Sequence, residues 1–190
     1  MNQNHNRSTP VSRPRSRPSG LRILCASALL AALSIVLGKY LAINITDSIR
    51  LSFENLPVLM AGVFLGPLVG GAVGMVADLL GCVLVGYAIN PIITLGAASV
   101  GVLAGLVAKA FTRGGRSLSP MGAYGAVYAA HMVGSMVIKS IGMAVYYATP
   151  MAVLLIRVPV YLAIGAAEGA VILLLAKNKL FTGELRRLTK

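Results

Sequence analysis

The chain has 190 residues, of which 57% are hydrophobic and 12% charged, about half the charged fraction of a soluble domain. Its formal net charge of +12 sits at the ends of apolar segments rather than on one face, which argues against nucleic acid as a partner. Charge-free runs cover 55–77, 79–108 and 140–156, each about as long as, or longer than, the roughly 18 residues a helix needs to cross a bilayer.

The elements follow in order. Residues 1–20 are polar, carry Pro10, Pro14 and Pro18, and read as a disordered basic cytoplasmic tail. That stretch is too long and polar for the leading part of a signal peptide, and no clear cleavage site follows, so the segment from Ile23 reads as a retained helix. Hydrophobic segments run over 21–43, 53–65, 67–88, 92–112, 120–147 and 150–176. The expected fold is an all-α bundle of six transmembrane helices over 21–177, with 178–190 as a basic cytoplasmic tail. The second segment is short: about 13 residues reach only ~20 Å. It must tilt, be shielded by neighbours, or form part of a helix broken at Gly66-Pro67.

Charge placement orients the bundle. Arg7, Arg13, Arg15, Arg17 and Arg22 precede the first segment, Lys109, Arg113 and Arg116 follow the fourth, and Lys177, Lys179, Arg186, Arg187 and Lys190 close the chain. With six crossings all three groups fall on one side, which the positive-inside rule makes the cytoplasm. The expected location is the cell membrane, multi-pass, with both termini cytoplasmic.

Small residues recur every fourth position at Gly62, Gly66, Gly70 and Gly74, then at Gly101 and Gly105, and again at Gly165 and Gly169. Such spacing lets helix backbones approach in lipid and reads first as internal packing. Cys25 and Cys82 lie in apolar runs and read as packing residues, not as a disulfide or metal pair.

Four bases remain away from the basic ends: Lys39, Arg50, Lys139 and Arg157. All fall in the outer half of the expected bundle or in its outer loops, Arg50 in the first of these. Lys39 and Lys139 read either as snorkelling to the outer interface or as cavity charges. For Arg50, an ion pair with Asp47 or Glu54 is the alternative to a ligand role. Asp78 and Glu168 lie near mid-membrane; they form either a proton or cation path, or structural pairs with Lys139, Arg157, backbone or Tyr hydroxyls. His131 reads as a hydrogen-bonded packing residue. Tyr40, Phe53, Tyr87, Tyr146, Tyr147 and Tyr161 gather towards the same outer side, as an interfacial belt or as ring faces for a flat ligand. No HExxH, paired-Cys zinc spacing, Gly-x-Ser-x-Gly or GxxxxGK[ST] occurs, so no catalytic centre, metal, cofactor or ATP-hydrolysing site is expected.

One set of motifs is more specific. Arg50-Leu-Ser-Phe53-Glu-Asn-Leu-Pro57 leads to Ala61-Gly62-Val-Phe-Leu-Gly66-Pro67, Gly70-Gly71, Gly74 and Ala77-Asp78-Leu-Leu-Gly81. Tyr87-Ala-Ile-Asn90-Pro91-Ile-Ile-Thr94-Leu-Gly96 follows, with Gly101 and Gly105. Together they resemble the substrate-binding S components of energy-coupling factor (ECF) vitamin transporters, in particular the folate branch. The likeness is strongest over about 23–106; beyond it, Arg157 is the most recognisable position.

The resemblance implies one outward-opening pocket lidded by the loops after segments one, three and five. It also implies a membrane scaffold subunit, two ATPase subunits as partners, and toppling in the membrane to carry the vitamin across. Arg50 and Arg157 would meet ligand carboxylates, Phe53 and Tyr87 the heteroaromatic part, and Asn90 and Thr94 would add polar contacts. Ala28 and Ala32, one turn apart on the first helix, would dock on the scaffold. Competing readings are a self-sufficient secondary transporter coupled through Asp78 and Glu168, an S component for another anionic vitamin such as pantothenate, and a membrane subunit with no ligand.

Overall fold

A computed structural model describes residues 19–46, 49–112 and 117–183, with the backbone alone at 19 and over 44–46 and 49–50. Six apolar helices make up the bundle: α1 (Gly20–Tyr40), α2 (Asn55–Leu65), α3 (Pro67–Val85), α4 (Pro91–Phe111), α5 (Pro120–Tyr147) and α6 (Met151–Lys177). All but α2 are long and apolar enough to cross a bilayer. Their outward faces carry Leu24, Leu29, Leu68, Leu106, Leu155 and Leu174, each at least 49% exposed, as lipid-facing surfaces do.

The short second segment is the first half of a broken helix. Gly66 between α2 and α3 has φ +107°, a backbone region closed to side chains with a Cβ, and Pro67 opens α3 where no amide donor is needed. Asn90 caps α4, its Oδ1 accepting from the amides of Ile92 and Ile93 at 3.0 and 3.3 Å, with Pro91 in the first turn. Ser119 and Pro120 repeat the device at α5, where Ser119 Oγ accepts from the Gly122 amide at 3.1 Å. Within α5 the hydrogen bonding widens to a π-helical stretch over His131–Ile138.

Two elements differ from the expected boundaries. The linker after the first segment folds into an antiparallel hairpin of β1 (Ile43–Thr46) and β2 (Ile49–Leu51), pairing Ile43 with Leu51 and Asn44 with Arg50. The chain is an all-α membrane bundle as expected, with this short hairpin added in a loop where isoleucines alternate with polar residues at the two-residue period of a strand. The segment expected as the C-terminal tail from 178 opens with a short helical stretch. Residues 179–183 are helical, Asn178 Oδ1 accepts from the Leu180 amide at 3.0 Å, and the Phe181 ring meets Phe64 edge-on at 5.1 Å. The expected tails over 1–18 and 184–190, with Glu184, and the loop bases Arg113 and Arg116 lie outside the described residues, as does Asp47.

The core is a three-way backbone crossing. A Cβ on Gly101 of α4 would overlap the Gly70 carbonyl of α3, and one on Gly70 would meet the Gly62 backbone of α2 at 2.5 Å. Gly74 faces the Ala97 carbonyl, and Gly134 brings α5 against the Gly96 carbonyl. On α6, Gly165 and Gly169 make room for the rings of Tyr128 and Tyr124. These glycine ladders are internal packing. The α1 C-terminus, the hairpin and the α3–α4 and α5–α6 loops gather at one end, opposite Arg22, Lys109 and Lys177.

Gly101→Leu should therefore destabilise the fold by about 3 kcal/mol or more, because backbone atoms block the side chain. Thermal unfolding in detergent reads this as a lowered midpoint or loss of monodisperse protein. Gly20→Leu, with nothing within 4 Å of its Cβ position, should leave the midpoint unchanged.

Candidate ligand-binding site

At the hairpin end the helices part around an open cavity of about 510 Å³, within the range of small-molecule sites. Its walls come from five of the six helices and their junctions. Lys39 lies on α1, Asp78 and Cys82 on α3, Tyr87 and Asn90 at the α3–α4 junction, Lys139 and Met143 on α5, and Arg157 and Tyr161 on α6.

Lys139 is 6% exposed and does not snorkel. Its Nζ donates to Glu54 Oε1 at 3.2 Å and to Asn55 Oδ1 at 3.3 Å, so the start of α2 supplies both partners beneath the cavity. Ser34 of α1 donates to the Glu54 carbonyl at 2.6 Å and holds this turn in place. Lys39 also turns inward. Its stem uses the space left by Gly81, and its ammonium lies 5.5 Å from the centre of the Tyr87 ring. A cation over an aromatic face gains about 0.5–2 kcal/mol, depending on desolvation. The snorkelling reading thus fails for Lys139, whose partners lie inside the bundle, while Lys39 turns its stem towards the cavity.

Arg157 contacts neutral groups. One guanidinium nitrogen donates to Ser140 Oγ at 3.2 Å and lies 2.8 Å from Met143 Sδ; the other donates to the Tyr161 hydroxyl at 3.1 Å. Asp78 is not paired with Lys139 or Arg157. Its Oδ2 accepts from the Thr94 hydroxyl at 2.6 Å.

The site residues expected from sequence divide three ways. Arg157, Tyr87 and Asn90 line the cavity. Asn90 is already committed on both sides, its Oδ1 to the α4 cap and its Nδ2 to the Gly142 carbonyl of α5 at 3.1 Å. Thr94 is 7% exposed, and its hydroxyl reaches Asp78 and the Asn90 carbonyl rather than open space. Phe53 is 39% exposed and is not part of the wall. Arg50 occupies β2, and its side chain lies outside the described residues.

Glu168 lies apart from the cavity, fully buried, with Oε2 2.5 Å from His131 Nε2. His131 Nδ1 is 3.2 Å from Ser135 Oγ, while Glu168 Oε1 has no partner among the described residues. The packing reading of His131 fits this arrangement. The pairing of Glu168 with Lys139 or Arg157 does not, because His131 on the adjoining turn of α5 is the group α6 packs against. Ala28 and Ala32 face outward on α1, whereas Ala31 beside them is 5% exposed.

Tyr161, Cys82 and Met143 are wall residues that the sequence reading did not assign to the site. Tyr161 had a usable signal, four residues from Arg157 and hence on the same helix face. Met143 had none.

Residues 22–178 match the profile of the ECF transporter substrate-specific component family. The protein described as Folate transporter FolT from Clostridium novyi (strain NT) is 38% identical over 61 residues, 32% of this chain. The match spans 35% of that relative's length. Among solved structures, one described as the crystal structure of FolT bound with folic acid has the same fold, with a TM-score of 0.67 at 19% identity. That likeness covers 83% of this chain and 95% of the other. The profile match spans most of the chain, and the chain belongs to the family of ECF transporter substrate-specific components.

Proposed function

We propose that this chain captures folate, or a close pteridine–glutamate relative, and delivers it across the membrane with an ATP-driven module. The observation that carries the reading is Arg157, a cation at the cavity wall whose contacts are all neutral among the described residues. A guanidinium at membrane depth without an anionic partner is costly and marks a site for one. Lys39 adds a second positive group, and Tyr87 and Tyr161 offer ring faces to a flat heteroaromatic. Folate brings both kinds of complement, two carboxylates and a pteridine. The short stretch of identity with a folate transporter and the shared fold with a folic-acid-bound protein support the same choice. In this reading Arg50 joins Arg157 at the carboxylates, and Phe53 belongs to the lid.

A charge-assisted hydrogen bond contributes about 1.5–3 kcal/mol, so Arg157→Ala should weaken folic acid binding about ten- to a hundredfold. Titration of purified protein against folic acid, alongside pantothenate, measures this, with the melting temperature as the check on folding. Unchanged affinity in a folded variant would remove Arg157 from the site.

The cavity opens to the outside in this proposal, with both termini and the basic ends of α1, α4 and α6 in the cytoplasm. A cysteine introduced at Ala88 should react with an impermeant reagent on intact cells, and one at Ser117 should not. Labelling of Ser117 alone inverts the topology.

Energy comes from a membrane scaffold and two ATPase subunits, and α1 docks on the scaffold through Ala28 and Ala32. Both are exposed, one turn apart, so a partner backbone can approach there without disturbing the bundle. Ala28→Trp with Ala32→Trp should abolish vitamin uptake in cells and release the scaffold on copurification, yet leave folic acid binding by purified protein intact. Joint loss of binding and folding would make the face internal and the docking role wrong.

A further inference from the structure

We propose that Asp78, held by Thr94, selects the heteroaromatic head of the ligand by accepting adjacent N–H groups from a 2-amino-4-oxo pyrimidine-type ring. The inference rests on the vitamin-binding reading and adds a selecting group to it.

Charge and hydrogen-bond accounting of the cavity leads there. Two acids line it, Asp78 and Glu54. Glu54 receives the ammonium of Lys139 at 3.2 Å and so serves the buried lysine. Asp78 receives a single hydroxyl, that of Thr94, on Oδ2 at 2.6 Å. Its other oxygen and the remaining lone pair of Oδ2 have no donor among the described residues. An ionised carboxylate only accepts, so a ligand group seated against it must donate.

Position supports the same role. Asp78 lies seven residues before the end of α3, about 10 Å below the rim. Cys82 stands one turn above it on the same wall, and Lys39, Glu54 and Lys139 line the cavity beside it. The Thr94 hydroxyl has one hydrogen to give, and its contact to the Asn90 carbonyl at 3.2 Å is the longer of the two. That hydrogen therefore fixes the carboxylate, and Thr94 acts as a positioning residue rather than a ligand contact. A planar ring with an amine beside a ring N–H presents two parallel donors, which a fixed carboxylate accepts together. The same ring with oxygen in place of the amine would set a lone pair against the carboxylate. A site built around a hydrogen bond discriminates strongly against a ligand lacking it.

The test uses the full-length purified chain and three probes: folic acid, pterin-6-carboxylate, and its 2,4-dioxo counterpart lumazine-6-carboxylate. Wild-type protein should prefer the pterin over the lumazine by about ten- to a hundredfold. Asp78→Asn keeps the shape and an acceptor for Thr94 but adds an amide donor. It should lose about tenfold or more in folic acid affinity and bring the two bicyclic probes close to parity. Thr94→Val keeps the charge but frees its orientation, and should narrow the preference by a smaller factor.

A preference that survives Asp78→Asn overturns the inference while the vitamin reading stands, as does equal binding of the two probes by wild type. If Asp78→Asn does not fold, the wild-type preference and its narrowing in Thr94→Val decide the matter. A wild-type protein that binds no pteridine at all, while retaining another vitamin, sinks the folate assignment and this inference together.

Discussion

At the crossing of α3 and α4 the backbones touch through Gly70 and Gly101, and the position of the cavity groups follows from that contact. In lipid no hydrophobic force draws one apolar helix to another; close packing and interhelical hydrogen bonds must do so. With no side chains between them, the two helices approach closely enough for Thr94 to reach Asp78 at 2.6 Å. Gly96 and Gly134 extend the approach to α5, and the Asn90 cap completes it by donating to the Gly142 carbonyl. A methyl group at any of these glycines would push apart helices whose charged residues depend on being near.

That closeness also settles how the charges are accommodated. A lone ion in the hydrocarbon region is expensive, and breaking one side of a buried pair costs several kcal/mol. Lys139 has Glu54 and Asn55, Glu168 has His131, and Asp78 has Thr94. Arg157 and Lys39, which have no oppositely charged partner among the described residues, stand at the open cavity, where a ligand can reach them. The division between paired and unpaired charge separates the structural residues from those suited to bind an anion. Asp78 and Glu168, alike in the sequence as two mid-membrane acids, differ in place: one lines the cavity and the other is locked into the α5–α6 contact.

Much of the frame was legible along the chain. Six hydrophobic segments lie within a few residues of the six helices, because twenty apolar residues in a row have few options besides crossing a membrane. Gly66-Pro67 announced the break between α2 and α3, and the Gly ladders announced close packing. The hairpin over 43–51 was missed because its alternation spans too few residues to stand out beside a long apolar run. The helical residues 179–183 were missed for a similar reason: the ring of Phe64 that receives Phe181 lies more than a hundred residues earlier.

The sequence by itself determined that the chain is built of apolar membrane-type helices, where those helices lie and break, and which end is basic. Those properties depend on run length, local caps and charge counts, all of which are additive along the chain. Tertiary structure decided which charges are partners. Lys139 and Glu54 are 85 residues apart, and His131 and Glu168 are 37 apart. Whether such residues meet depends on the rotation of each helix about its axis and on the distance at which helices cross. Neither quantity is a sum over local residues: a shift of one position turns a side chain by about 100°, from the cavity to the lipid.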